Sequence, residues 1–394
     1  MLERSKHVES VLNRGRSVLL LGPRGVGKTA LSKSILTKWT NSLHFDLLDP
    51  RVYQRYLLGA SQFSQDVEWQ LSQSGQPLLV FVDEIQKLPE LLDVVHLLYE
   101  SYRGRVQFLL TGSSARKLKR GGANLLAGRL LSLSLHPLIH EEFWCPWEKL
   151  LLLGSLPGVA VENEEPEQTL RSYVHMYLRE EVMAESLVRK IDSFSRFLEL
   201  AGQYHGLHMN ASTVAKVAHI AASTVSEYFQ ILEDTLMVYR LPGWSASTKK
   251  QMRTSPKYYL FDNGVASALR GELRLELTPR TPRFGDLFEC YLIQEAFRLN
   301  DYGQLDLKLF YWQTNTGQEV DLILSRGMGE PLAAIELKST DEPSHLRLTG
   351  LKSFQGEYPN VPRYCFCRTP FPYQTEDQVT VLPWKQGLAM LTQL

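Results

Sequence analysis

Gly22-Pro-Arg-Gly-Val-Gly-Lys-Thr29 follows the apolar run Ser17–Leu21 (SVLLL) and leads into helical sequence from Lys28 to about Trp39. The spacing is GxxxxGK[ST] between a strand and a helix, which is the context a phosphate-binding loop needs. Gly22, Gly25 and Gly27 let the backbone curl so that its N–H groups point inward at phosphate oxygens. The following helix presents the positive end of its dipole to the same oxygens. Lys28 is placed to reach the β- and γ-phosphates, and Thr29 to set its hydroxyl on a magnesium ion. Pro23, Arg24, Val26 and Ala30 complete the stretch expected to line the nucleotide, with ATP and Mg²⁺ as the implied ligands.

Around this loop, short apolar runs alternate with helical sequence. Leu43–Leu47, Pro77–Val82, Val106–Thr111 and Arg129–Leu135 read as further strands, and about Leu88–Tyr102 as a helix. That alternation predicts an α/β fold, a parallel sheet with helices on both faces. Val80-Phe-Val-Asp83-Glu84 is an apolar strand ending in two carboxylates. Asp83 is placed to hold the magnesium and Glu84 to polarise the attacking water as general base. Thr111-Gly-Ser113-Ser114 ends the next strand, and a polar side chain there would orient water beside the γ-phosphate, with Ser113 ahead of Ser114. Arg129, after Gly128, either reaches a nucleotide in this or a neighbouring subunit, or caps a strand or pairs with a surface acid. The run Arg116-Lys-Leu-Lys-Arg120 reads as a solvated basic turn, or beside a nucleotide site as a nucleic-acid contact.

The chain has 394 residues, enough for two or three domains. Hydrophobic residues make up 44% and charged residues 22%, ordinary values for a globular protein. Lys+Arg and Asp+Glu both number 43, so any nucleic-acid surface must be local. Cys145, Cys290, Cys365 and Cys367 form no zinc-type spacing, and Cys365 and Cys367 fall on one face of a strand-like run as small buried thiols. No stretch has the length or apolarity of a membrane span, and Met1–Ser10 has no signal-peptide core, which points to the cytoplasm and no membrane partner.

The strings Phe81–Leu91 (FVDEIQKLPEL), Leu109–Leu118 (LLTGSSARKL) and Leu126–Phe143 (LAGRLLSLSLHPLIHEEF) resemble the AAA-type ATPases, in the branch with an Asp-Glu pair closing the Walker B strand. Along the whole chain the layout resembles a widespread group of prokaryotic ATPases that carry a C-terminal domain of unknown function. The resemblance implies ATP hydrolysis and leaves the biological role open. AAA-type motors often form rings, so a nucleotide-dependent homo-oligomer is among the expectations.

Downstream, Pro137–Val161 reads as the start of a helical lid, Glu162–Gln168 as an acidic connector, and residues 169–240 as helical. Ser212–Ile220 and Ala222–Asp234 are two helical stretches split by Ala221-Ala222, with Ser223 a candidate N-cap and Val225, Phe229 and Leu232 its buried stripe. A strand (Leu236–Leu241), a basic loop (Thr248–Lys257) and a returning strand (Tyr258–Phe261) complete the order of a winged helix. Ser223, Thr224, Ser226 and Glu227 would then open the recognition helix, and Lys249, Lys250, Arg253 and Lys257 would contact DNA phosphates. Against that, the helix has no Arg or Lys, so a module packing protein on protein is the alternative.

Gly285–Asn300 reads as an amphipathic helix, followed by strands Phe310–Gln313, Glu319–Leu324 and Ala333–Lys338 and a helix near Leu346–Glu357. Alternation puts Glu336 and Lys338 on one strand face and Asp321 opposite Val320 and Leu322. If these strands are neighbours, Asp321, Glu336 and the Leu337 carbonyl can hold Mg²⁺, Lys338 can steady the attacking water or the phosphate charge, and Glu289 can add a carboxylate. This pattern resembles the PD-(D/E)xK phosphodiesterases, a fold that also survives as a binding module without cleavage. The bland reading makes Glu336 and Lys338 a surface pair.

The expected division is 1–161 for the AAA-type core and start of the lid, 162–282 for the helical and winged-helix segment, and 283–394 for the mixed α/β nuclease-like segment. Two functions follow from it. One is a Mg²⁺-dependent ATPase acting on or with DNA, branched or single-stranded forms included, with a metal-dependent nuclease at its end. The other is an ATP-dependent switch whose C-terminal domain binds a partner without cutting.

Overall fold

The computed structural model describes residues 4, 7–113, 128–161, 164–177, 191–245, 254–327, 329–341 and 347–394. The chain forms two compact units, Met1–Leu138 with Asp234–Leu236, and Ile139–Glu233 with Met237–Leu394. The segment read as the start of a lid falls from Ile139 onward in the second unit, together with the helical and nuclease-like segments.

The first unit is built on a five-stranded parallel sheet in the order β2-β3-β4-β1-β5, with β1 Ser17–Leu21, β2 Ser42–Asp46, β3 Leu78–Asp83, β4 Val106–Gly112 and β5 Leu130–Ser134. Every residue of the three inner strands is buried, whereas the edge strands β2 and β5 mix exposed and buried positions. That is why the inner strands read as unbroken apolar runs. Helices α1 His7–Asn13, α2 Lys28–Leu36, α3 Pro50–Leu57, α4 Ala60–Gln73 and α5 Leu91–Ser101 accompany the sheet. α3 and α4, absent from the sequence reading, are held by an Asp49 cap on the Arg51 N–H (2.8 Å) and by Phe63, Val67 and Leu71 at helical spacing. The register pairs Leu21 with Gly112 and Val82 with Leu110, so β1, β3 and β4 end side by side. Ligand sites of parallel sheets form at this edge.

The second unit contains α6 Trp147–Leu153, α7 Pro157–Ala160, α8 Pro166–Ser172, α9 Ile191–Gln203, α10 Ala211–Ala218, all but the last residue of α11 Ala222–Asp234, the antiparallel hairpin β6 Val238–Leu241 and β7 Lys257–Leu260, α12 Asn263–Arg270, and α13 Pro282–Gly303. A six-stranded sheet follows in the order β12-β13-β11-β10-β9-β8, with β8 Lys308–Gln313, β9 Glu319–Ser325, β10 Ala333–Leu337, β11 Arg363–Cys367, β12 Tyr373–Gln374 and β13 Thr380–Pro383. α14 Thr349–Glu357 and α15 Trp384–Leu391 complete it. Cys365 and Cys367 are both buried on β11.

Polar groups on α13 tie the helices to the hairpin. Gln294 donates to the Leu260 carbonyl (2.7 Å), and Asn263 donates to that of Leu287 (3.0 Å). Arg298 is fully buried and donates to Glu295 (3.0 Å), Ser155 (3.2 Å) and the Phe261 carbonyl (2.7 Å). Glu295, also fully buried, accepts from the His140 backbone N–H at 2.8 Å and faces its Nδ1 at 2.8 Å. Removing one partner of a buried ion pair leaves an uncompensated charge in a low dielectric. Glu295→Ala should therefore cost about 3–5 kcal/mol in a guanidinium titration followed by circular dichroism. A loss under about 1 kcal/mol, the range of an exposed pair, would show that Arg298 needs no buried counter-ion.

Candidate functional site

In the first unit the loop between β1 and α2 has the conformation its glycines allow. Gly25 (φ 83°) and Gly27 (φ 95°) are left-handed, and Gly27 caps α2 with no side chain on the first amides of the helix. A helix start without a side-chain cap is one that can present its amides to an anion. Gly22 is needed for a different reason. A Cβ there would collide with the Leu135 carbonyl oxygen, so the loop lies flush against the residue after β5. Gly22, Pro23 and Val26 are buried, and Arg24, Gly25 and Ala30 face outward. Lys28 is buried, and its ammonium donates to the carbonyls of Gly22 (2.8 Å) and Pro23 (3.2 Å).

Asp83 is 1% exposed and joins three elements. Its Oδ2 accepts from the Thr29 hydroxyl at 2.8 Å, and its Oδ1 accepts a short hydrogen bond from the Thr111 hydroxyl on β4. The Thr111 oxygen in turn accepts the Glu84 N–H at 3.1 Å. Glu84 has φ 57°, left-handed for a residue with a side chain. Backbone of this kind costs on the order of 1–3 kcal/mol and persists where its surroundings over-determine it. Gln86 donates a short hydrogen bond to Glu84 Oε2 and another to Ser113 Oγ at 3.2 Å. Its own Oε1 is buried without a hydrogen-bond partner among the described residues. Lys28, Thr29, Asp83, Glu84 and Ser113 are thus gathered at one sheet edge. Thr111 and Gln86 are the residues that sequence reasoning missed as members of it.

Arg129 lies elsewhere in its bonding. It is 38% exposed and ion-paired with Glu100 on α5, whose carboxyl it draws below the usual carboxylate range. Ser114 and the basic run 116–120 lie outside the described residues.

The second unit gathers an acidic cluster. Ligand oxygens of Glu289 (α13), Glu319 and Asp321 (β9) lie within 4.8 Å of one another. Asp321 is 6% exposed and accepts the Leu337 N–H at 2.7 Å, which fixes it beside β10. The register that pairs Ile335 with Leu322 brings Glu336 next to Asp321. Glu336 is 5% exposed; its Oε1 accepts from the Lys338 ammonium at 2.5 Å, and its Oε2 is buried with no hydrogen-bond partner among the described residues. Burial, then the charges of Glu336 and Glu289, hold the Asp321 carboxyl well above its ordinary value. Burial raises Glu336 as well, against the opposing pull of Lys338. The surface-pair reading of Glu336 and Lys338 therefore does not describe them.

Lys257 is a correction. Expected on an exposed wing, it is 4% exposed at the start of β7 and bonds Glu289 (3.2 Å) and, at short range, Glu319. Glu319 also meets His208 Nε2 at 2.7 Å. Burial works against the Lys257 ammonium, but Glu289, Tyr259, Glu319 and Asp321 outweigh it and hold its pKa well above that of a free lysine. Glu319 was not picked out from the sequence, although it shares the face of Asp321 two residues on.

Asn210 caps α10 through Ser212 (2.9 Å) and Thr213 (3.3 Å), His219 turns the chain at φ 54°, and α11 buries Val225, Phe229 and Leu232. α11 begins at Ala222, so Ser223 lies within its first turn instead of capping it. Ser223, Ser226 and Glu227 are exposed and Thr224 half-buried. Lys249, Lys250 and Arg253 lie outside the described residues. Among the described residues no helix is long and apolar enough to cross a membrane.

Residues 14–144 match the family model of an AAA domain, residues 146–277 a domain of unknown function (DUF8612), and residues 284–387 a domain of unknown function (DUF4143). An uncharacterized protein of Mycobacterium tuberculosis is 29% identical over 337 residues, which covers 84% of this chain and 72% of that protein. An uncharacterized protein of Haemophilus influenzae is 22% identical over 325 residues, 77% of each chain. Among solved structures, the Aeropyrum pernix ORC1 protein in complex with DNA aligns with TM-score 0.32 and 13% identity over 69% of this chain and 93% of its own. The Thermotoga maritima RuvB Holliday junction branch migration motor aligns with TM-score 0.27 and 19% identity over 60% and 87%. The first unit has the P-loop AAA fold.

Proposed function

We propose that the chain is a Mg²⁺-dependent ATPase whose turnover is coupled to DNA. The observation that carries the ATPase reading is the hydrogen-bonded chain Thr29–Asp83–Thr111–Glu84, which locks the phosphate loop and the ends of β3 and β4 into one frame. In this reading the backbone amides at the start of α2 and of Gly25 and Gly27 receive the triphosphate. Lys28 exchanges the Gly22 and Pro23 carbonyls for phosphate oxygens as they arrive. Thr29 and Asp83, whose oxygens already meet, would hold Mg²⁺, which when bound neutralises charge on the β- and γ-phosphates. Glu84 accepts a proton from the attacking water, and Gln86 and Ser113 fix its direction.

The DNA half of the reading is supported by α10, the turn at His219, α11 and the β6–β7 hairpin, in winged-helix order with polar Ser223, Ser226 and Glu227 outward. The test is phosphate release by the full chain with ATP and Mg²⁺. Turnover should stop on chelation and rise about tenfold or more with single-stranded, duplex or branched DNA, a rate effect of about 1.4 kcal/mol. ATP binding without release would leave the switch reading. Turnover indifferent to every DNA would remove the DNA half.

A second reading concerns the second unit, as a metal-dependent phosphodiesterase. The buried, unpartnered Oε2 of Glu336 beside Asp321 favours it, because a hard cation takes such oxygens. Asp321, Glu336 and Glu289 would hold the cation, which when bound activates water and polarises a phosphoryl oxygen. Lys338 would steady the charge that develops on phosphate.

A further inference from the structure

The acidic cluster already contains a cation that belongs to the chain. Lys257 enters it from β7, where its residue pairs with Leu241 across the hairpin and bridges to His208. Its ammonium lies 3.2 Å from Glu289 Oε1 and closer to Glu319 Oε1, and 5.8 Å from the centre of the Tyr311 ring. The two carboxylates it bonds are two of the three whose oxygens lie within 4.8 Å of one another. A divalent cation held by those three would draw on the same lone pairs, at about 2.0–2.6 Å.

Glu336 supplies an independent sign that the cluster is built for something more than Lys257. Its Oε2 has no hydrogen-bond partner among the described residues, although the Lys338 ammonium is on its other oxygen. A Cβ at Gly350 would collide with the Glu319 carbonyl oxygen and lie 3.4 Å from Glu336 Oε2, so the start of α14 packs closely on Glu319 with this oxygen nearby. Lys257 thus faces Glu289 and Glu319, while Asp321 and Glu336 share the Lys338 ammonium.

We propose that Lys257 is a resident cation of this site, competing with a divalent metal for Glu289 and Glu319, so that metal enters only as Lys257 withdraws. This rests on the reading of the second unit as a metal-dependent site. It adds a regulatory element: because Lys257 is part of β7, metal entry and the position of the hairpin strand are coupled, and coupling of this kind is reciprocal. Anything that holds Lys257 on the carboxylates lowers metal affinity, and metal in turn favours the withdrawn lysine.

Manganese binding to the full, nucleotide-free chain, followed by the loss of the free Mn²⁺ paramagnetic resonance signal, tests this. Lys257→Met keeps the length of the side chain and removes the charge. It should bind Mn²⁺ at least tenfold more tightly than the native chain, and Asp321→Asn added to it should cancel the gain. Equal affinity of the native chain and Lys257→Met would overturn the competition and leave the metal site standing. Absence of Mn²⁺ binding in both would overturn the metal site itself, and the acids would then be counter-ions of Lys257. A second measurement needs no variant: amine acetylation of Lys257, read by mass spectrometry, should rise several-fold at saturating Mn²⁺. Unchanged labelling with Mn²⁺ bound would also sink the proposal.

Discussion

Glu84→Gln should slow ATP hydrolysis by about 10²–10⁴-fold, the usual contribution of a positioned base, while ATP still binds. The two side chains have the same shape, and a glutamine oxygen can still accept from Gln86, so the hydrogen bond that sets the side chain survives. The backbone at φ 57° is held by the Glu84 N–H on Thr111, which the substitution leaves alone. What is lost is the carboxylate proposed to take the proton from water. Single-turnover phosphate release measures the rate, and equilibrium binding of a fluorescent ATP analogue measures the site. A rate within fivefold of the native one would remove Glu84 as the base. Loss of binding together with rate would mean that Glu84 shapes the loop instead.

The parts of this site differ in how far the sequence reveals them, and the difference is one of range. Gly22 to Thr29 is a single local spacing whose chemistry is complete within eight residues. Asp83 and Glu84 are legible because an apolar strand that stops at two acids is itself a signal. Thr111 and Gln86 gain their roles only from the order β2-β3-β4-β1-β5, which sets β4 directly beside β3. No periodicity in the chain states that order. Lys257 shows the converse. Its neighbours in sequence made it look like part of an exposed basic loop, but its partners are 32 and 62 residues away, and burial of a charge can be read only from them. Glu319 was within reach of the alternation that picked out Asp321. Its signal was hidden by position, at the first residue of β9, where a turn acid is the commoner meaning.

The same dependence on long-range partners shapes the largest effect expected in the second unit. Glu336→Ala should lower metal-dependent cleavage of DNA by roughly 10³-fold, since a metal's charge stabilisation is worth several kcal/mol. The substrate panel should include single-stranded, duplex and branched DNA with Mg²⁺ or Mn²⁺. Two further variants separate a metal ligand from a residue that acts on phosphate. Asp321→Asn should raise the metal concentration needed for half-maximal rate, because it removes a ligand oxygen fixed by the Leu337 N–H. Lys338→Ala should lower the maximal rate more than it shifts the metal dependence, because its ammonium bonds Glu336 and has no lone pair to give a cation. If the native chain cuts and Glu336→Ala cuts equally at every metal concentration, the cleavage arises elsewhere. If the native chain cuts nothing on this panel, the phosphodiesterase reading falls while the ATPase stands, since the two sites share no residue.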